Sequence, residues 1–148
     1  MILVAKQRCQ KIFNSLPDSY ERGSVLNALG RVGKASLKHK TRYRAGYVVS
    51  AIGERLPDLV SVLDAAIDCR NHYVHGSESK IDYSENFDMV TFFTNTLEFV
   101  FAASELTEAG WDIRAFMDTP TSMSHPFGAY RVSYDANLQA FKVLQSKP

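Results

Sequence analysis

The sequence predicts an all-α protein, an up-and-down helical bundle, and three observations carry that prediction. Apolar residues recur at three- and four-residue steps through most of the chain. The five prolines and eight glycines fall mostly between those stretches, where connectors belong. No convincing strand pair is present, and Tyr130–Ser133 is the one short strand candidate. With 148 residues, 45% hydrophobic and 22% charged, the composition is that of an ordinary globular domain able to bury a core without disulfide or metal staples. The expected organisation is a single domain over 1–148, with a core at about 18–108 and an additional C-terminal helical tail at about 109–148.

The elements follow in order. Met1–Ser15 reads as a first helix, with Ile2, Ala5, Cys9, Ile12 and Phe13 on one face. Leu16-Pro17-Asp18 interrupts it, and Asp18 or Ser19 is placed to cap a second helix running to about Arg31, which Gly30 and Gly33 end. Lys34–Arg55 predicts a third helix, basic in its first half and apolar through Tyr47, Val48 and Ile52. Pro57 suits a first helical turn, so Pro57–His75 forms the fourth, with Leu56, Val60, Leu63, Ile67 and Val74 as its core stripe. Gly76 ends that helix, and Ser77–Tyr83 is a polar loop. Ser84–Thr107 is a long helix whose wide apolar face (Phe87, Val90, Phe93, Leu97, Val100 and Phe101, with Met89, Phe92 and Phe99 beside it) calls for several neighbours or a second chain. Gly110–Met117 predicts a short helical turn anchored by Trp111, Thr119–Gly128 a loop holding an exposed His125, and Tyr134–Leu144 a closing helix.

Composition narrows the function classes. No apolar run approaches the roughly 18–20 residues of a membrane span. The apolar start lacks a basic leader, so a secretory signal is not expected and the protein is read as cytoplasmic. Cys9 and Cys69 are sixty residues apart with no CxxC pair, which predicts two free thiols rather than a disulfide framework or a cysteine zinc site. Neither a Gly-x-Ser-x-Gly elbow nor a Gly-x-x-x-x-Gly-Lys loop occurs, which argues against an α/β hydrolase and a P-loop nucleotidase.

The formal net charge of +1 hides an asymmetry. Between Arg22 and Gly53 stand Arg22, Arg31, Lys34, Lys38, Lys40, Arg42 and Arg44, with His39 and no acid, whereas Glu54–Asp118 holds thirteen acids against four bases. A basic stretch with Tyr43 and Tyr47 beside it has the character of a surface that follows a phosphate backbone while its aromatics stack on bases. The same pattern also describes a solvated helix face that pairs with the acidic half of its own fold.

One residue breaks the apolar pattern. On the wheel of the fourth helix Arg70 falls about 40° from the centre of the predicted stripe, between Ile67 and Val74. A guanidinium there needs either a carboxylate, such as Asp64 or Glu98, or a wet cleft, because an unpaired charge in low dielectric is costly.

Arg70-Asn71-His72-Tyr73-Val74-His75-Gly76 matches an R-x4-6-H pattern with a polar residue after the arginine, late in an amphipathic helix, with a basic helix before it and a long apolar helix after it. This resembles the HEPN superfamily of helical, metal-independent ribonucleases, and most of all its Apea-like group found in antiviral defence proteins. The resemblance implies a HEPN-type bundle, no cofactor, and a homodimer in which two motifs face each other across a shared cleft. It also implies RNA as substrate, tRNA among the candidates, a toxin or defence role, and an antitoxin or further domains of a longer defence protein as partners. Carried over by position, Arg70 stabilises phosphate charge, Asn71 orients, and His75 is the acid/base. Lys34, Lys38, Lys40, Arg42, Arg44, His72 and Tyr73 are the expected RNA contacts. The tyrosine that toxins of the HepT type carry two residues after the histidine is Ser77 here, so regulation by modification at that place is not implied.

The chemistry suits those residue types. Attack by a ribose 2′-OH on its neighbouring phosphodiester needs a base titrating near neutrality, and the crowded phosphorane needs fixed positive charge. Arg70 and His75 are about 140° apart on an ideal helix, whereas Asn71 and His75 share a face, which favours a site completed across a twofold axis. Two other readings use the same segment. Asp68, His72 and His75 are spaced to ligate a metal, with Asp64 behind them and Glu98, Glu105 or Glu108 to complete the set, but none stands in the Glu-x-x-His spacing of di-iron bundles, and no metal is expected. A non-catalytic HEPN module that binds a partner protein, RNA or nucleotide is the alternative function.

Overall fold

The computed structural model describes residues 2–32 and 36–146. Gly33 and Lys34, the latter an expected RNA contact, lie outside the described residues. The chain groups into two compact units, residues 1–36 and 37–148. Among the described residues all regular structure is helical.

The first unit is a helical hairpin of α1 (Ile2–Asn14) and α2 (Tyr20–Arg31). Lys6, Cys9, Gln10 and Phe13 on α1 and Arg22, Gly23, Val25, Leu26, Leu29 and Gly30 on α2 are half-buried, both sets at helical spacing. Ala5 and Ile12 of the predicted stripe are exposed instead. Ser19 caps α2 as expected, its hydroxyl accepting from the Arg22 amide at 3.1 Å. Cations close both helices: Arg22 donates to the Phe13 carbonyl (2.9 Å), and Lys6 donates to those of Gly30 (3.3 Å) and Val32 (3.0 Å). Such pairings satisfy carbonyls that a helix C-terminus leaves open.

The second unit holds the large core. Its helices are α3 (Leu37–Ile52), α4 (Leu59–His75), α5 (Phe87–Glu108), α6 (Ile113–Asp118) and α7 (Pro126–Gln145), with a single 3₁₀ turn at Gly53–Arg55. α3, α4 and α5 pack against one another, α7 lies on α5, and α6 lies on α3. α3 buries Thr41, Ala45, Val48 and Ile52, one residue per turn, while Tyr47 stays outside. The broad face of α5 is explained by two flanks: Phe93 and Val100 join the three-helix core, and Phe92 and Phe99 stack on Tyr130 of α7 at ring separations of 6.2 and 4.8 Å. Phe87, predicted inside, is exposed. Each large side chain fully removed from water contributes about 1.5–3 kcal/mol, so these aromatics dominate the stability of the unit.

The segment after Glu108 belongs to that core. α7 begins at Pro126 rather than near Tyr134, taking in Tyr130–Ser133 as helix, and it buries Tyr130, Tyr134, Leu138 and Phe141. His125 is its N-cap, the imidazole accepting from the Phe127 amide at 3.2 Å. Tyr134 donates to the Pro57 carbonyl at 2.7 Å, tying α7 to the turn before α4.

That turn corrects the predicted start of α4. Pro57 lies ahead of the helix, and Asp58, its N-cap, has φ 57°, a left-handed conformation in which aspartate is tolerated. The helix therefore starts at Leu59, and Leu56 is not on its wheel. It buries Leu59, Val62, Leu63, Ala66, Ile67 and Cys69, while the predicted stripe members Val60 and Val74 are exposed.

Candidate active site

The motif occupies the end of α4, where the helix outruns its core. Ile67 and Cys69 are its last buried residues, and Arg70, only about 30° from the centre of the observed buried stripe, is already exposed. Burial pushes the Cys69 thiol up, so this cysteine is a packed, protonated side chain rather than a nucleophile. Gly76 stops the helix with φ 65°, its amide donating to the His72 carbonyl at 2.9 Å, so His75 is the last helical residue.

Arg70 makes no ion pair among the described residues, and neither Asp64 nor Glu98 reaches it. Its Nη1 instead donates to Asn71 Oδ1 and to His75 Nε2, both at 3.1 Å. The long side chain thus spans the 140° that separates the two residues on the wheel. A guanidinium can only donate, so the contact needs Nε2 unprotonated and leaves Nδ1 to carry the proton of a neutral ring. Arg70, Asn71 and His75 are brought together within one chain, at the solvent-facing end of a rigid helix. The arrangement offers a fixed cation and an imidazole to a polyanion with no carboxylate between them.

The remaining motif residues are held from the side. His72 Nδ1 meets the Ser77 carbonyl at 2.8 Å, which fixes the proton of the neutral ring on Nδ1. Its ring lies 5.3 Å from Tyr73 and 5.4 Å from Tyr83. Tyr83 is the participant that the sequence hides: it sits in a stretch that reads as polar loop, yet it is buried, and burial raises its phenol above the ordinary value. Asp82 anchors it in place, accepting from the Ser84 amide (2.9 Å) and hydroxyl (2.5 Å); these bonds hold its carboxyl below the ordinary range.

The basic helix meets the acidic segment inside the second unit. Lys38 pairs with Asp68 at 3.2 Å, and Arg42 grips Asp64 through Nε (2.8 Å) and Nη2 (2.5 Å), a fork that raises the Arg42 pKa. Arg44 pairs with Glu105, donates to Ser104 at 2.9 Å and lies over the Phe101 ring. Lys40 is exposed and has no such partner among the described residues. Asp68, His72 and His75 are thus each engaged elsewhere, and the described residues include no group of three His, Cys, Asp or Glu able to hold a metal ion. No described helix is long and apolar enough to cross a membrane.

Comparison with curated proteins and with solved structures finds no match. The family model of the Apea-like HEPN domains does match, over residues 3–114, a span that holds the bundle helices α3, α4 and α5 and the whole of the Arg70–Gly76 motif. An all-α chain with that motif at the exposed end of a core helix, matched over three quarters of its length, belongs to the Apea-like HEPN family.

Proposed function

We propose that the protein is a metal-independent endoribonuclease that acts as a homodimer on RNA, in a toxin or antiviral-defence role in the cytoplasm. The observation that carries this reading is the contact of Arg70 with both Asn71 and His75, exposed and with no carboxylate to neutralise it. Membership in a superfamily generally associated with ribonuclease activity supports it.

In this reading bound phosphate draws Arg70 off His75, and the freed Nε2 removes the proton of a ribose 2′-OH, whose oxygen attacks the adjoining phosphorus. Arg70 neutralises the charge gathering on the non-bridging oxygens, and Asn71 keeps the guanidinium in place. The P–O5′ bond breaks, leaving a 2′,3′-cyclic phosphate and a 5′-hydroxyl that takes up a proton. One imidazole cannot be base and acid in the same instant, so a second His75 across a twofold axis, in its protonated form, supplies the proton. Lys40 is the basic side chain of α3 most open to RNA, since Lys38, Arg42 and Arg44 are engaged in ion pairs.

The test is cleavage of RNA by the pure protein in EDTA, beside Arg70→Ala and His75→Ala. Products from the parent alone support the reading, and equal activity in all three refutes it. The ion pairs on α3 favour one other reading, a non-catalytic module for a partner protein, RNA or nucleotide. Tight, salt-sensitive RNA binding without products would select it.

A further inference from the structure

We infer that Tyr73 is a stacking platform for an unpaired base beside the phosphate held by Arg70, which makes single-stranded RNA, or a loop, the substrate class. The inference rests on the nuclease reading for the word substrate, but the platform itself follows from the geometry of the rings.

Tyr73 is 57% exposed, although aromatic side chains are ordinarily among the most strongly driven to burial. It stands three residues after Arg70 on α4, so the two side chains are neighbours on the helix surface. Its ring is held from behind. His72 meets it edge-on (5.3 Å, 79°) and Tyr83 lies against it (5.9 Å, 36°). Tyr83 in turn meets Phe93 edge-on, and Phe93 meets Phe141, so the exposed ring is the end of an aromatic column rooted in the core. The Ser77 carbonyl locks His72, and the Asp82 hydrogen bonds lock the loop that carries Tyr83. A ring immobilised in this way loses little freedom when a base stacks on it.

The consequence for the substrate is steric. A base inside a duplex has both faces covered by its neighbours, so only an unstacked base can lie on Tyr73. In-line attack by a 2′-OH also needs a step free of the A-form geometry. Stacking on one aromatic is sequence-tolerant, so this contact selects for unpaired structure rather than for base identity.

The experiment uses the His75→Ala protein, so that RNA stays intact, and single-stranded oligonucleotides carrying 2-aminopurine at successive positions. Fluorescence is expected to be quenched on binding. Tyr73→Leu is expected to abolish that quench and to weaken binding about tenfold to a hundredfold, while Tyr73→Trp retains both. A quench that survives Tyr73→Leu, or no quench at any position, overturns the inference, as does equal binding of the same sequence in a duplex. Cleavage by the parent protein is read in parallel. No cleavage together with a Tyr73-dependent quench refutes the nuclease and leaves the platform standing. Cleavage with a quench indifferent to Tyr73 refutes the platform alone. Circular dichroism of the Leu and Trp variants confirms that each has folded.

Discussion

Arg70 Nη1 lies 3.1 Å from His75 Nε2, although the two residues point to different sides of an ideal helix. The contact couples them. Arg70→Ala is expected to lower kcat for RNA cleavage by about 10²–10³. His75→Ala is expected to lower it by about 10²–10⁴. The double variant should fall no further than the worse single one, because groups acting as a unit are not additive. Single-turnover rates on a defined oligonucleotide provide the measurement, and a multiplicative loss would mean that the two act independently.

The hydroxyls of Tyr130 and Thr96 give an asymmetric pair. Tyr130 donates to Thr96 Oγ1 at 3.0 Å, and Thr96 donates to the Phe92 carbonyl at 2.8 Å. Thr96→Val strands a buried phenol and is expected to cost about 1–3 kcal/mol, whereas Tyr130→Phe leaves Thr96 with its carbonyl partner and costs about 0.5–1.5 kcal/mol. Urea midpoints of the two variants should rank in that order.

The boundary of what the sequence reveals runs through α4. The existence, extent and C-terminal stop of this helix follow from its periodicity and from Gly76, and the matched motif lies where expected. Its rotation does not follow. The left-handed Asp58 takes only Leu56 off the wheel; within the helix the buried stripe lies about 70° from the predicted one because packing on α3 and α5 covers Leu59, Val62, Ala66 and Cys69 rather than Val60 and Val74. Arg70 sits near the centre of the real stripe and is exposed only because the core ends beneath it, a tertiary fact that no helical wheel contains. Tyr83 was illegible for a related reason: a lone aromatic in a polar stretch acquires its role only when α5 folds back beside it.

Alkaline pH should unfold the second unit. Burial raises the phenols of Tyr83, Tyr130 and Tyr134 above their ordinary value. The unfolded chain therefore releases these protons first as pH rises, binds fewer protons than the native state, and becomes favoured. Stability should be full below about pH 9 and decline above about 10, where free tyrosine ionises. Absorbance at the tyrosinate band should show these three phenols ionising together with the loss of helical circular dichroism; early, independent ionisation would contradict their burial.

Two glycines should respond to alanine in opposite senses. A Cβ on Gly128 would meet the Ser122 carbonyl oxygen at 2.0 Å and Thr121 Oγ1 at 2.8 Å, so the first turn of α7 or the strap before it must move. Gly128→Ala is expected to destabilise by about 1–3 kcal/mol. Gly46, exposed in mid-α3 with nothing within 4 Å of such a Cβ, should gain up to about 1 kcal/mol from the same change. Thermal midpoints moving in the same direction would contradict this contrast.

The family match stops at residue 114, short of the helix whose rings cover Phe92 and Phe99. Trimming the gene to the family's borders would therefore bare a greasy flank along α5, and such flanks clump. Anyone seeking a minimal folded domain should keep the last thirty-odd residues, because α7 roofs α5 as much as α3 and α4 wall it in.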